Sequence, residues 1–193
     1  MRLILAKTLP TLENFRSLPL FFLAGPVRGG GDWQFKMSEL LAREFDDCII
    51  ANPCRYDYNH PLYKYRVNGP DGFPRQTDWE RHFLQLAADR WETGCIIFWL
   101  PPEDALNPRK DGGPYARETM GEIGEWRGQM MWARHLRVIV GMAVEFPGAS
   151  QIERNFELAL GREFKIYRTM EEVVARAVFF AQPSLSFRSR VSA

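Results

Sequence analysis

The chain has 193 residues, 46% hydrophobic and 25% charged, a balance that supports a packed core and excludes a disordered chain. A formal net charge of +1 and a pI near 7.7 argue against a nucleic acid polymer as partner. Cys48, Cys54 and Cys95 are odd in number and lack C-x-x-C spacing, so they read as reduced thiols and not as a disulfide frame or a zinc site.

The apolar stretch at 3–6 is shorter than a signal-peptide core, and no run approaches a membrane span. One soluble, cytoplasmic domain over 1–193 is expected, with its core at about 20–180. Residues 1–18 form an extension in which Arg2–Lys7 is an edge-strand candidate. Leu20–Gly25 is a continuous apolar run, as a central strand buried on both faces requires. It leads into Pro26-Val27-Arg28-Gly29-Gly30-Gly31-Asp32. The glycine backbone can turn N–H groups toward an anion or a flat ring, and Arg28 adds a forked donor for a phosphate. The same stretch is equally a turn into Asp32 as helix N-cap.

Helical periodicity covers Trp33–Glu44, with Phe35, Leu40, Leu41 and Phe45 as the expected inward face. Cys48–Ala51 reads as a strand. Arg55–Arg75 is a long irregular segment whose tyrosines (Tyr56, Tyr58, Tyr63, Tyr65) are candidates to stack on a base or to pack the loop. Thr77–Arg90 is a helix with Thr77 as expected N-cap and Asp78 and Glu80 in its first turn. His82 reads as a surface side chain or as one standing behind the site's own residues. Gly94–Leu100 is a strand, followed by a loop over 101–114 and a helix from Arg117 to about Ala133. Arg137–Gly141, Ser150–Leu160, Phe164–Tyr167 and Met170–Phe180 continue the alternation. Residues 181–193 read as a polar, mobile tail. The alternation predicts a doubly wound, five-stranded parallel sheet with helices on both faces.

The stretch 115–126 carries the chemistry. Glu122 is expected in the first turn of a helix just past a buried strand, where sheets of this kind bind ligands. Gly121 and Gly124 leave its carboxylate open to a substrate. Thr119-x-x-Glu122 is also capping-box spacing, as are Thr77/Glu80, Ser150/Glu153 and Thr169/Glu172, so a structural role competes.

Together, Phe22-Leu23-Ala24-Gly25-Pro26, Gln76-x-Asp78-Trp79-Glu80, Ile96-Ile97-Phe98-Trp99 and Thr119-x-x-Glu122-Ile123-Gly124 resemble the nucleoside 2-deoxyribosyltransferase family. The likeness is nearest its branch described as nucleoside 2-deoxyribosyltransferase-like, and it runs from about Leu20 to Val174. Val27-Arg28-Gly29-Gly30 also looks like the first loop of the related 2′-deoxynucleoside 5′-monophosphate N-glycosidases.

The resemblance implies a flavodoxin-like fold and a homo-oligomer, at least a dimer. It implies cleavage or exchange of an N-glycosidic bond through a glycosyl ester on Glu122, with no cofactor or metal. Asp78 and Glu80 are then candidates for orienting or proton transfer. Gly25, Arg28, Gly29, Gly30, Gly31, Gln76 and Gly121 are candidates for substrate binding. The family's acidic residue six positions before the nucleophile falls at Ala116 here, with Asp104 or Asp111 as possible replacements. The aromatic hydroxyl expected in the first strand falls at Phe21, and the C-terminal asparagine motif has no clear match. A nucleotide-binding module without catalysis is the alternative that the Ala116 departure favours.

Overall fold

The structure, a computed structural model, describes residues 1–182; the expected tail beyond Gln182 lies outside them. Six strands form one parallel sheet in the order β1-β3-β2-β4-β5-β6. They are β1 (Arg2–Leu5), β2 (Leu20–Ala24), β3 (Ile49–Asn52), β4 (Gly94–Leu100), β5 (Val138–Met142) and β6 (Ile166–Tyr167). The helices are α1 (Trp33–Glu44), α2 (Gln76–Gln85), α3 (Arg117–Trp132), α4 (Ala149–Leu160) and α5 (Met170–Ala181). A π-helical turn, Leu86–Arg90, extends α2.

The expected five strands become six because Arg2–Leu5 adds itself alongside β3, Leu3 opposite Ile50. The segment read as one long loop is strapped to this edge. Val67 donates to the Leu3 carbonyl at 2.7 Å, and Gly72 donates to that of Lys7 at 3.0 Å. Its backbone thereby covers an edge that would otherwise stay open to pairing.

Two apolar layers explain the doubly wound arrangement. Alternate strand residues such as Phe22, Ile96, Phe98 and Val140 pack with Trp79, Phe83, Ile123, Trp126 and Phe156 of α2, α3 and α4. The intervening set, including Phe21, Leu23, Ile97 and Ile139, packs with Trp33, Met37, Leu41, Val173 and Ala177 of α1 and α5. Both faces of β2 and β4 are covered, which is why those sequences are apolar without alternation.

Helix α1 is rotated from the expected face. Trp33, Gln34, Met37, Ser38 and Leu41 are buried, whereas Phe35, Leu40 and Phe45 are only half-buried. The Trp33 indole donates to the Pro26 carbonyl at 2.9 Å, and this anchor sets the helix phase.

Of the four capping-box spacings, only Thr169/Glu172 is one. The N-caps of α2, α3 and α4 are Arg75, Ala116 and Gly148, none with a side-chain cap. Asp32 does sit at the N-cap of α1, but its carboxylate faces His60 Nε2 at 3.2 Å instead of the helix amides. Thr169→Ala is therefore expected to lower stability by about 1 kcal/mol, while Thr77→Ala and Ser150→Ala change it by much less. Urea denaturation of the three variants checks this.

Candidate active site

The connections from β2 and β3 leave in opposite directions across the sheet, because β3 and β4 flank β2 on either side. The crevice this creates at the carboxyl ends of β2, β3 and β4 is where open α/β sheets hold ligands. Here it is a cavity of about 680 Å³. Gly25, Pro26, Val27 and Arg28 line it after β2, and Pro53 and Arg55 after β3. Gln76, Thr77 and Glu80 of α2 face Ala116, Glu118, Thr119 and Glu122 at and within α3, and Arg109 closes the rim.

Helix α3 begins at Arg117 as expected, and this start places Glu122 in its second turn, not in the first. Its carboxyl caps nothing. It makes no hydrogen bond or ion pair among the described residues. Burial above all, and then the charges of Glu80, Glu125 and Glu118, push it up to about 7, with Arg81 opposing. A side chain built at Gly121 or Gly124 would meet nothing within 4 Å, so no packing demand explains either glycine.

Glu80 stands on the facing helix and shares the wall of both this cavity and a smaller one of about 200 Å³ with Glu122. Its carboxyl is also raised by burial, and a hydrogen bond from Gln76 restrains the rise. The Gln76 amide donates to Glu80 at 2.8 Å and to the Pro53 carbonyl at 3.0 Å, while its oxygen accepts from Arg55 Nε at 3.2 Å. This amide ties the loop after β3 to α2 and holds the Glu80 carboxyl in place.

Asp78 does not join the site. It pairs with Arg75 through two hydrogen bonds, 3.1 and 3.0 Å, and does not line the cavity. Residues 76 and 80 share a helix face and residue 78 does not.

Gly29, Gly30 and Gly31 are likewise outside the cavity wall, as is Gly121. The triglycine docks the loop over 101–114: the Gly29 carbonyl accepts from the Asp104 amide at 2.7 Å, and a side chain at Gly29 would come within 2.9 Å of the Arg109 nitrogen. Gly29 instead borders a separate pocket of about 400 Å³ with Arg28 and the 107–111 segment.

The acids proposed to replace the one missing at Ala116 are otherwise occupied. Asp111 accepts from Arg109 and, at 2.6 Å, from Arg28, which holds its carboxyl well below the usual range. Asp104 turns to the amide of Leu106 at 2.9 Å. Arg109 also forks onto Glu118, drawing that carboxyl down to about 2. Ala116 itself is buried in a left-handed conformation at φ 56°.

None of the tyrosines in the strapped segment lines the cavity. Tyr56 stacks on His60 with ring centroids 3.7 Å apart, and Phe35 meets the same imidazole edge-on. They pack the loop. His82 is exposed beside Phe73. The three cysteines are free and buried. Among the described residues no cluster of three or more His, Cys, Asp or Glu side chains could hold a metal, and no helix is long and apolar enough to cross a membrane.

Sequence reasoning missed Arg55, Arg109 and Glu118. Arg55 was open to inference, since it follows a parallel strand next to the point where the connections diverge. Arg109 and Glu118 carried no such signal. No known protein-family description matches this chain, and no curated protein matches it in sequence.

Proposed function

We propose that this chain is an enzyme that cleaves or exchanges the N-glycosidic bond of a (deoxy)nucleoside, on a flavodoxin-like scaffold of the nucleoside 2-deoxyribosyltransferase-like kind. The observation that carries the reading is Glu122: a desolvated carboxyl without a hydrogen-bond partner among the described residues, on the wall of the cavity of about 680 Å³ and facing a second raised carboxyl. A purely structural acid would be exposed, paired or hydrogen-bonded. A carboxyl with a value near 7 in a cleft fits a reacting group.

In the proposed step, an oxygen of ionised Glu122 attacks the anomeric carbon. The C–N bond breaks, its electron pair goes to the base nitrogen, and a proton reaches the base from Glu80 or from solvent. A second base or a water then attacks the same carbon and frees Glu122, so configuration is retained in transfer and in hydrolysis alike. Gln76 orients Glu80. Hydrolysis of a nucleoside 5′-monophosphate is the second reading, favoured by the arginines at the rim.

The test is incubation with deoxynucleosides and their 5′-monophosphates, with and without a second free base. Free or exchanged base is the expected product. A 2-fluoro-substituted nucleoside should add one sugar mass to Glu122, located by peptide mass spectrometry. Absence of both product and adduct across the panel rejects the reading.

A further inference from the structure

Three arginines line the cavity, and their partners separate them. Arg28 is ion-paired with Asp111 at 2.6 Å. Arg109 is held by Asp111 and Glu118 together. Arg55 is different. Its one hydrogen bond runs from Nε to the neutral Gln76 amide oxygen at 3.2 Å, and no carboxylate pairs with it among the described residues.

The position of Arg55 is fixed on two sides. Asn52 at the end of β3 accepts the Cys54 amide at 2.9 Å, which turns the chain toward the cavity. Gln76 then anchors the guanidinium through Nε while also bonding Pro53 and Glu80. The terminal nitrogens remain, a forked donor suited to an oxyanion. Arg55 is exposed, lines the cavity and spends Nε on an amide, while no protein group among the described residues takes its terminal nitrogens, so the fork is available to a ligand.

We infer that Arg55 receives an anionic oxygen group of the ligand and sets a preference for charged over neutral nucleosides. The inference rests on the nucleoside reading of the same cavity and assigns its charge recognition. It moves that role away from Arg28, whose partner is already supplied by the protein. The group is a phosphate on the sugar or a carboxylate on the base, since the fork suits either.

The test is titration calorimetry on the full chain with uridine, uridine 5′-monophosphate and orotidine, and with 2′-deoxyguanosine and its 5′-monophosphate. A charged member is expected to bind about tenfold or more tightly than its neutral counterpart. Which member shows the gap locates the anion on the sugar or the base. Arg55→Gln should close the gap, and Arg55→Lys should restore part of it by keeping the charge without the fork. Equal binding of charged and neutral members, a gap that persists in Arg55→Gln, a gap abolished by Arg28→Gln alone, or binding of no probe each overturns the inference. The readout is affinity, so it separates from the chemistry. A protein that keeps the gap but forms no adduct at Glu122 defeats the catalytic reading alone, and adduct formation without a gap defeats this one alone.

Discussion

Glu122→Gln is expected to lose turnover by about 10³-fold or more and, at pH 8, to be more stable than the parent chain. The two effects share one cause. In the folded protein the carboxyl is raised from 4.5 to about 7, chiefly by burial. The folded state therefore holds a proton that the unfolded chain has already lost. The stability this provides is complete below pH 4.5 and disappears as pH rises through 7. Above that, the protein carries a desolvated charge on the order of 3 kcal/mol less favourable than in the unfolded chain. Glutamine keeps the shape and removes the charge. Denaturant midpoints of the two proteins should nearly coincide at pH 4 and separate at pH 8, the variant being the more stable. Turnover of the parent should fall as pH drops below about 7, because attack requires the ionised form. A variant no more stable than the parent at pH 8 would mean the carboxyl is not desolvated, and the case for it as a reacting group would go with it.

The elements that sequence disclosed are those where one force dominates. β2 and β4 are legible as unbroken apolar runs because helices cover both faces, and their observed bounds match the expected ones nearly residue for residue. The capping boxes were ambiguous because Ser/Thr-x-x-Glu spacing also arises between neighbours inside a helix. At α3 and α4 a left-handed backbone residue, Ala116 or Gly148, starts the helix without side-chain help. Only Thr169 has the extended conformation from which its hydroxyl reaches the Glu172 amide, 3.2 Å away.

In the site, Gly25, Arg28, Gln76, Glu80 and Glu122 come together as expected. Asp78 was distinguishable from them: Gln76 and Glu80 are four apart, so a helix that presents both to the cavity turns residue 78 elsewhere. For the triglycine the residues left two roles open, for a physical reason. Glycine permits both close approach of a ligand and close approach of backbone, and only the position of the loop over 101–114 decides between them. That loop has no periodicity. Arg109 and its partners Asp111 and Glu118 come from within it and from the helix beyond, so their convergence is a property of the folded chain alone.

The glycines also give the sharpest separation of fold from function. At Gly25 the backbone lies at φ 155°, and an added Cβ would sit 2.3 Å from the Trp99 carbonyl oxygen and 2.7 Å from a ring carbon of Trp33. Neither neighbour can yield. Trp99 is in register with Gly141 on β5, and the Trp33 indole is held by its bond to Pro26. Gly25→Ala is therefore expected to cost about 3 kcal/mol or more, by forcing apart the ends of β2 and β4 that frame the cavity. Gly121 and Gly124 have no such neighbours, and they sit inside a helix, where alanine is favoured by roughly 0.5–1 kcal/mol. Their alanine variants should melt higher than the parent. If the open approach to Glu122 is what those glycines provide, the same variants should lose kcat/KM while gaining stability. A Gly121→Ala, Gly124→Ala double variant that is both more stable and fully active would show that Glu122 does not need its uncovered flanks. Gly25→Ala, by contrast, should lose stability and kcat/KM together, because the strand ends it forces apart frame the cavity.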